Sequence, residues 1–339
     1  MESGTDMVAI YQEPIDAEAV KARARELGID LVGIADGQAM DAHPPDPDDP
    51  RRPMDISDYD ADRVVVLGKR YTAGTTRLTR WDERHKYYND ELTLTALEEA
   101  SLELVLWLED RGYPALIVPP THVDPMRHDG GTAGPIGPLL SLDHAAVEAG
   151  LGTLGLNGQL ITPEFGPRVL LTAVLTSAPL AADAPMTQSL CLGPACGRCL
   201  LTCPADAVRH WDRDWAACER LRSPHGFADL AEHIGRIIDE PDPLRKKAML
   251  RSKAQFDLWQ SILRGSGVVT GCRRCQDVCP VGADYPALQD ALEEIPEATA
   301  DKVQRLAEMV RAEADGARPE AHARQQRWIG SPPAAGPED

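Results

Sequence analysis

Eight cysteines, all in the second half of the chain, are the residues best suited to carry chemistry. The first group has four, two and three residues between successive cysteines and ends in proline, and a later group repeats the C-x2-C-x3-C-P ending. Thiolates at these spacings are typical ligands of two [4Fe-4S] clusters. The predicted ligands are Cys191, Cys196, Cys199, Cys203, Cys218, Cys272, Cys275 and Cys279.

The cysteine before proline in each group is expected to bind the cluster of the other group, as it does in two-cluster ferredoxins. One predicted set, the first thiol set, is Cys191, Cys196, Cys199 and Cys279. The second thiol set is Cys203, Cys218, Cys272 and Cys275. Each cluster then receives four thiolates, and no cysteine is left over.

A pair of structural zinc sites is the alternative, because two CxxC pairs also suit zinc held by four thiolates. The C-x3-C-P endings favour clusters, since zinc ribbons do not need them. In a reducing compartment, an even number of cysteines argues for metal ligation over disulfides.

Composition limits the partners that the protein can have. The formal net charge of -19 and a pI of about 4.9 disfavour a nucleic-acid substrate, because an acidic surface repels phosphates. No segment approaches the roughly 18 apolar residues that span a bilayer, and the start MESGTDMVAIYQEP lacks a basic stretch followed by an apolar one. We therefore expect a cytoplasmic protein without a membrane partner.

Apolar periodicity predicts an α/β layer before the cysteines, in which helices pack on a sheet. Helices are predicted at residues 16–27 and 89–109, and strands at 29–35, 64–67, 115–118 and 169–176. Two further helical patterns, at 227–239 and 244–263, separate the cysteine groups. The predicted domains are 1–180, 181–295 and a C-terminal helix with a disordered tail at 296–339, with disorder expected from residue 316.

The segment HAAVEAGLGTLGLNGQLITPEFGPRVLLTAVLT, residues 144–176, resembles the segment that precedes the clusters in epoxyqueuosine reductases and reductive dehalogenases. The likeness extends to ELGIDLVGIAD, RHKYYNDEL and GCRRCQDVCP, and so covers residues 17–281. Those enzymes bind a corrinoid, cobalamin, beside the nearer cluster. The resemblance therefore implies a nitroreductase-like corrinoid-binding domain followed by a two-cluster ferredoxin-like domain.

Glycines in this segment remove side chains where the backbone would pass close to a large flat ligand. The corrinoid contacts that the resemblance implies are Gly150, Gly152, Gly155, Asn157, Gly158, Thr162 and Phe165. The alternative is structural, because the same sequence can end a helix at Gly150 and turn into a strand.

Three departures separate the chain from epoxyqueuosine reductases. Pro135 and Ile136 precede the GPLL stretch where those enzymes carry an aspartate, and Leu156 replaces a lysine. About sixty residues follow Cys279, too few for the helical-repeat domain that helps to grip tRNA.

Arg51 and Arg52 precede no apolar stretch, so the twin-arginine export signal of respiratory dehalogenases is not expected.

The resemblance predicts a reductase that passes electrons through two clusters to cobalt and cleaves a bond in a small organic substrate. The predicted proton donors are Tyr87, Tyr88 and Asp143, with His85, His122, His128, Asp129 and His144 as further candidates. Each has a plainer alternative: helix packing for the tyrosines, a helix N-cap for Asp143, the helix surface for His144 and a solvated loop for residues 122–129.

An external electron donor, ferredoxin or flavodoxin, is the expected protein partner. A basic patch could attract it, formed by Arg245, Lys246, Lys247, Arg251 and Lys253, although an ordinary solvated helix face fits equally. Two other functions remain open, because the aspartate and lysine are missing. The chain could be an electron carrier without a corrinoid, or a protein that reduces the corrinoid of another enzyme.

Overall fold

The computed structural model describes residues 12–78, 83–120, 139–222, 225–265, 270–288, 295 and 297–332. The strands are β1 (Leu31–Asp36), β2 (Arg63–Arg70), β3 (Ala115–Val118), β4 (Thr153–Leu154), β5 (Leu160–Ile161), β6 (Val169–Thr176), β7 (Val208–Arg209) and β8 (Asp212–Arg213). The helices are α1 (Ala17–Glu26), α2 (Gly37–Ala42), α3 (Ala73–Thr76), α4 (Glu83–Glu109), α5 (Leu142–Glu148), α6 (Arg198–Thr202), α7 (Trp215–Arg222), α8 (Phe227–Asp239), α9 (Pro243–Met249), α10 (Lys253–Arg264), α11 (Arg274–Asp277), α12 (Ala300–Ala314) and α13 (Glu320–Ile329), with short 3-10 turns at Pro53–Asp55, Gly193–Ala195 and Tyr285–Ala287.

A four-stranded sheet in the order β1-β2-β6-β3 forms the centre of the fold. Alternate residues of β2 enter two different cores, because successive side chains of a strand point to opposite faces. Val65 and Leu67 pack with α1 and α4, whereas Val64 and Val66 pack with α5 and the segment that follows it. Helices therefore cover both faces, as the apolar strand sequences predict.

The four predicted strands and the helices on the sheet are confirmed. Every neighbouring pair of this sheet is antiparallel, so the described part of the chain has a mixed α and β fold around an antiparallel sheet. The division into a corrinoid-binding domain, a ferredoxin-like domain and a tail stays a prediction. No helix in the described ranges is both long and apolar enough to cross a membrane.

The prediction of disorder from residue 316 is wrong for α13. Trp328 and Ile329 of this helix are buried in the core that also holds α5. The Trp328 indole Nε1 donates to Glu148 at 2.8 Å, and Arg327 forms a two-bond ion pair with the same buried carboxylate. A polar helix is ordered here because its last residues satisfy a buried charge far away in sequence.

The single helix predicted at 244–263 is also wrong, since the structure divides it into α9 and α10. Ser252 begins the second helix by accepting a hydrogen bond from the Gln255 amide at 3.2 Å. The helices α8, α9 and α10 lie in the chain between Arg222 and Cys272. These two residues are in contact, because the Cys272 amide donates to the Arg222 carbonyl oxygen at 3.1 Å. This helical insertion therefore begins and ends beside the second thiol set.

Candidate functional site

None of the eight cysteines forms a disulfide, and together they line two neighbouring cavities. The small cavity, about 30 Å³, is lined by the whole first thiol set. The large cavity, about 760 Å³, is lined by the whole second thiol set. Cys275 belongs to the walls of both cavities. The structure thus brings together the two crossed sets that the C-x3-C-P spacing predicts.

The short helix α6 and the turn after it direct Cys199 and Cys203 to different cavities. α6 begins after Gly197, which has a φ of +58° and lies where a Cβ would meet Leu306 of α12 at 2.3 Å. Cys203 ends this helix in extended backbone, and the following proline prevents further helical turns. Cys199 lies within this helix and lines the small cavity, whereas Cys203 lies in the extended backbone after it and lines the large cavity.

Backbone amides point at the sulfur atoms of both sets. Leu156 and Gly193 each donate an amide to Cys191 Sγ at 3.3 Å. Ala207 donates its amide to Cys203 Sγ at 3.3 Å. Such hydrogen bonds stabilise thiolates and tune the centres that those thiolates hold.

Burial raises the pKa of the thiols at Cys191, Cys199, Cys218 and Cys275. It raises the pKa of Cys279 to about 12, against the opposing effect of the Val281 amide. Thiols in such surroundings stay protonated until a metal displaces the proton, so metal binding would release protons. In the described ranges, no three His, Cys, Asp or Glu side chains converge on a single-ion site. A cubane does not require this convergence, because each thiolate binds a different iron.

The large cavity is the candidate ligand site. Its volume lies in the range of pockets that hold small molecules and cofactors. Tyr71, Arg213, Trp215 and Arg273 contribute aromatic and cationic groups to its wall, beside the four thiols. A redox centre held by the second thiol set would therefore border any molecule bound there.

Three of the glycines predicted to contact a corrinoid lie close to other parts of the protein, two of them against backbone atoms. A Cβ at Gly150 would lie 2.7 Å from the Ala184 carbonyl oxygen, and one at Gly152 would lie 2.0 Å from the Ile161 carbonyl oxygen. A Cβ at Gly155 would meet Ile161 Cδ1 at 2.6 Å. The structural alternative thus explains these positions, and α5 does end just before Gly150.

Gly158 is different, because it lines the large cavity and has no atom within 4 Å of a built Cβ. Asn157 lines the small cavity and holds Gln159 through two hydrogen bonds. Thr162 is fully buried and fixes a turn by donating to the Gly166 carbonyl oxygen at 3.1 Å and accepting from the Phe165 amide at 3.1 Å. Phe165 packs against the core. Contact of these residues with a corrinoid stays a prediction.

Of the three predicted proton donors, only Asp143 lies in the wall of a described cavity. Asp143 lines the large cavity, whereas Tyr87 is buried in α4 and Tyr88 is exposed, and neither tyrosine belongs to the described cavity walls. The N-cap alternative for Asp143 is wrong, because Ser141 holds that position. Asp143 instead accepts from the Leu160 amide at 2.7 Å, and burial raises its pKa against that hydrogen bond.

The remaining candidates divide in the same way. His144 also lines the large cavity, pairs with Ser141 at 2.6 Å and meets the Trp328 ring edge-on at 4.7 Å. Burial lowers its pKa to about 4, so it is neutral at physiological pH and is not a surface residue. His85 is exposed on α4. The candidates His122, His128 and Asp129 lie outside the described residues.

Tyr71 is a cavity residue that the sequence analysis missed. It directly follows β2 and lies with the Arg273 guanidinium 4.0 Å from its ring centroid. Burial, and then the charge of Asp90, raises the pKa of Tyr71, which keeps the phenol protonated. The only signal in the sequence was an aromatic residue immediately after a buried strand, which does not by itself indicate a site.

Buried ion pairs fix α11, which carries Cys275, against α4. Arg273 lies 2.9 Å from Asp90 and 3.1 Å from Asp277, and Lys86 donates to Asp277 at 2.7 Å. Burial raises the pKa of Asp90 to about 7, although Arg273 opposes the shift. This network holds one wall of the large cavity in place.

The comparisons with known proteins agree with the resemblance. No protein-family model matches the chain. The epoxyqueuosine reductase of Synechococcus sp. (strain RCC307) is 36% identical over 136 residues, which cover 40% of this chain and 32% of the relative. The tetrachloroethene reductive dehalogenase of Sulfurospirillum multivorans is 44% identical over 71 residues, 20% of this chain and 14% of the relative. A solved catabolic reductive dehalogenase has a TM-score of 0.49 and 16% identity, over 92% of this chain and 37% of that one.

The chain is thus a homologue of epoxyqueuosine reductases and reductive dehalogenases, as the resemblance predicted. The matches span a third or less of the length of these two curated relatives.

Proposed function

We propose that this homologue of two reductase families is a cobalamin-dependent iron–sulfur reductase of a small organic substrate. The observation that carries the proposal is the large cavity whose wall contains all four thiols of the second set. When bound, the clusters supply single electrons and the corrinoid supplies a strongly reducing metal centre. The two-domain description, with a corrinoid-binding domain before a ferredoxin-like domain, is part of the same proposal.

The two thiol sets define the direction of electron flow. The second set borders the large cavity, and the first set lies behind it, with Cys275 at the boundary. The centre at the second thiol set would therefore be the one that passes electrons to a ligand in the large cavity. Gly158 leaves open space beside the second centre, where a flat ligand can approach without meeting a side chain.

The protein also has to supply a proton and exclude water from the reaction. Tyr71 is the cavity residue that we assign to the proton, because its phenol lies in the wall of the large cavity and the Arg273 guanidinium, 4.0 Å from its ring centroid, would stabilise the phenolate left behind. Asp143 is the second candidate from the same wall. Its carboxyl group is partly committed to the Leu160 amide.

Replacing Tyr71→Phe is expected to slow single turnover of pre-reduced protein by about 10²- to 10⁴-fold, because it removes the proton and leaves the ring. Iron content and retention of cobalamin should stay unchanged. Tyr88→Phe is the matched control, since Tyr88 is exposed and outside the cavity wall, and it should turn over normally. Equal rates for Tyr71→Phe and the unsubstituted protein would contradict the role of Tyr71 as proton donor. Asp143→Asn would then be the variant expected to slow the reaction.

Metal and cofactor analysis of anaerobically isolated protein tests the function itself. We expect about eight irons and eight sulfides per chain, and one corrinoid retained after incubation with cobalamin and gel filtration. Stoichiometric zinc without iron would contradict the clusters. Cluster absorption without retained corrinoid would favour an electron carrier, and retained corrinoid without turnover of any organic substrate would favour a corrinoid-reducing protein.

The expectation that nucleic acid is not a substrate stays a prediction, because the relatives include epoxyqueuosine reductases.

The docking of an acidic electron donor is proposed at the helical insertion. Arg245, Lys247, Arg251 and Lys253 are exposed there, whereas Lys246 donates to the Ile238 carbonyl oxygen at 2.9 Å. Large apolar side chains are exposed on the same helices, namely Leu244, Leu250, Phe256, Trp259, Ile262 and Leu263. An apolar centre with a charged rim is typical of a protein interface, and complementary charge would speed association.

Reversing two charges, in Arg245→Glu/Lys247→Glu, is expected to slow reduction by ferredoxin or flavodoxin at least about tenfold at low salt. The difference should shrink as salt screens the charges. Arg25→Glu/Arg311→Glu is the control, because both arginines are exposed on other helices and the net charge changes equally. A similar slowing in the control would mean that net charge, and not this surface, governs the encounter.

A further inference from the structure

We propose that Arg213 sets the reduction potential of the cluster held by the second thiol set, by placing a buried guanidinium against its ligand Cys275. The inference rests on the proposed function, because it presupposes a cluster at those thiols. It assigns a tuning role to a residue that lies outside the cysteine motifs.

Arg213 is buried, with 6% of its surface exposed, and it ends the β7–β8 hairpin. Its Nη2 lies 3.9 Å from Cys275 Sγ, and its guanidinium carbon lies 4.7 Å from the centroid of the Trp215 ring. The same hairpin region supplies the Ala207 amide to Cys203 Sγ. One short hairpin therefore presents a cation and an amide to two ligands of the same set.

The charge of Arg213 is not neutralised by an ion pair within the described part of the chain. The buried Arg168 pairs with Asp284 at 2.5 Å and the buried Arg273 pairs with Asp90 at 2.9 Å. For Arg213, no described carboxylate lies within 4.0 Å, and its buried Nε has no hydrogen-bond partner there. A buried guanidinium without a carboxylate is costly unless another negative group is present. Cluster thiolates would supply that negative group.

The two thiol sets differ in this respect. Arg168 approaches the first set by donating to the Cys279 carbonyl oxygen at 2.8 Å, but Asp284 neutralises it. Arg222, a second cation near Cys218, is 37% exposed and pairs with Glu219 at 3.1 Å. Arg213 thus places a buried guanidinium beside the set that borders the large cavity, and the Asp143 carboxyl acts on it only from beyond ion-pair distance.

Reduction adds one electron to a cluster, makes it more negative by one charge and breaks no bond. The electron comes from the external donor, and no proton is required. A fixed positive charge stabilises the reduced form more than the oxidised form, so it raises the reduction potential. Arg213 would therefore draw electrons from the first cluster towards the cluster beside the large cavity.

The test is a redox titration of the iron–sulfur protein, followed by electron paramagnetic resonance, with iron counted in each sample. In Arg213→Gln we expect the reduced-to-oxidised ratio of one cluster to fall at least tenfold at a fixed potential, about 59 mV for a one-electron couple. The other cluster should be unchanged. Arg213→Lys should shift less, because it keeps the charge and loses the planar guanidinium. Arg209→Gln, on the same hairpin but 42% exposed and paired with Asp214, should shift neither cluster.

The outcomes separate this inference from the proposed function. Fewer than about six irons in the unsubstituted protein would contradict the clusters themselves. A full iron count with unchanged potentials in Arg213→Gln would overturn the role of Arg213 and leave the function standing. If Arg213→Gln loses one cluster, the Arg213→Lys variant decides between the outcomes. A full iron count in Arg213→Lys, with a potential near that of the unsubstituted protein, supports the role of charge. Loss of iron from Arg213→Lys as well overturns it.

Discussion

Replacing Cys199 and Cys203 together with alanine is expected to remove all of the about eight irons that two [4Fe-4S] clusters contain. The two cysteines are only four positions apart, but Cys199 lines the small cavity and Cys203 lines the large one. Each cluster would lose one of its four thiolates, and the buried thiols around it would regain protons. Iron and sulfide per chain, measured after anaerobic reconstitution, give the result directly.

The matched variant is Cys199→Ala/Cys279→Ala, which removes two cysteines that are distant in sequence but line the same small cavity. It should retain about four irons, with a single remaining cluster signal. The reverse outcome, with about four irons left in Cys199→Ala/Cys203→Ala and none in the matched variant, would mean that each cluster takes its ligands from one continuous motif. The crossed assignment would then be wrong.

The grouping of the cysteines could be predicted because C-x2-C-x3-C-P is a known ligand pattern of two clusters, and part of its geometry is local. The two or three residues between cysteines fix their rotation around one helical turn, and the proline after Cys203 fixes where the helix ends. The strands were predictable for a similar reason, since Val64–Leu67 and most of β6 are continuous β-branched and aliphatic residues. The strand order β1-β2-β6-β3 depends on pairing between residues about a hundred positions apart, and no local pattern encodes it.

Other features depend on contacts that the sequence does not reveal. A glycine is favoured both where the backbone takes a positive φ, as at Gly158, and where another backbone approaches closely, as at Gly152, so the sequence alone could not separate the two. The order of α13 depends on Glu148, which is buried 180 positions before Trp328. Tyr71 lies in the wall of the large cavity with Arg273, a residue far along the chain, against its ring.

Arg168→Gln is expected to destabilise the protein by about 3 kcal/mol, because it breaks a buried ion pair and leaves several acceptors without a donor. Arg168 is 1% exposed and donates to both carboxylate oxygens of Asp284, at 2.9 and 2.5 Å. It also donates to the carbonyl oxygens of Cys279 at 2.8 Å and Val281 at 2.7 Å. These bonds tie the C-P turn of the second motif to the start of β6, so we also expect the cluster of the first thiol set to be lost.

The control is Arg305→Gln, which removes an arginine that also binds two carboxylates, Asp206 at 2.5 Å and Asp301 at 3.0 Å. Asp301 is 78% exposed, so solvent screens that pair and the loss should stay below about 1 kcal/mol. Guanidinium-chloride unfolding of the metal-free variants measures both free energies, and iron counts of the reconstituted proteins measure the clusters. Equal losses of stability with a full iron count in both variants would contradict this role of Arg168. Binding of iron would then be enough to position Cys279 and the turn around it.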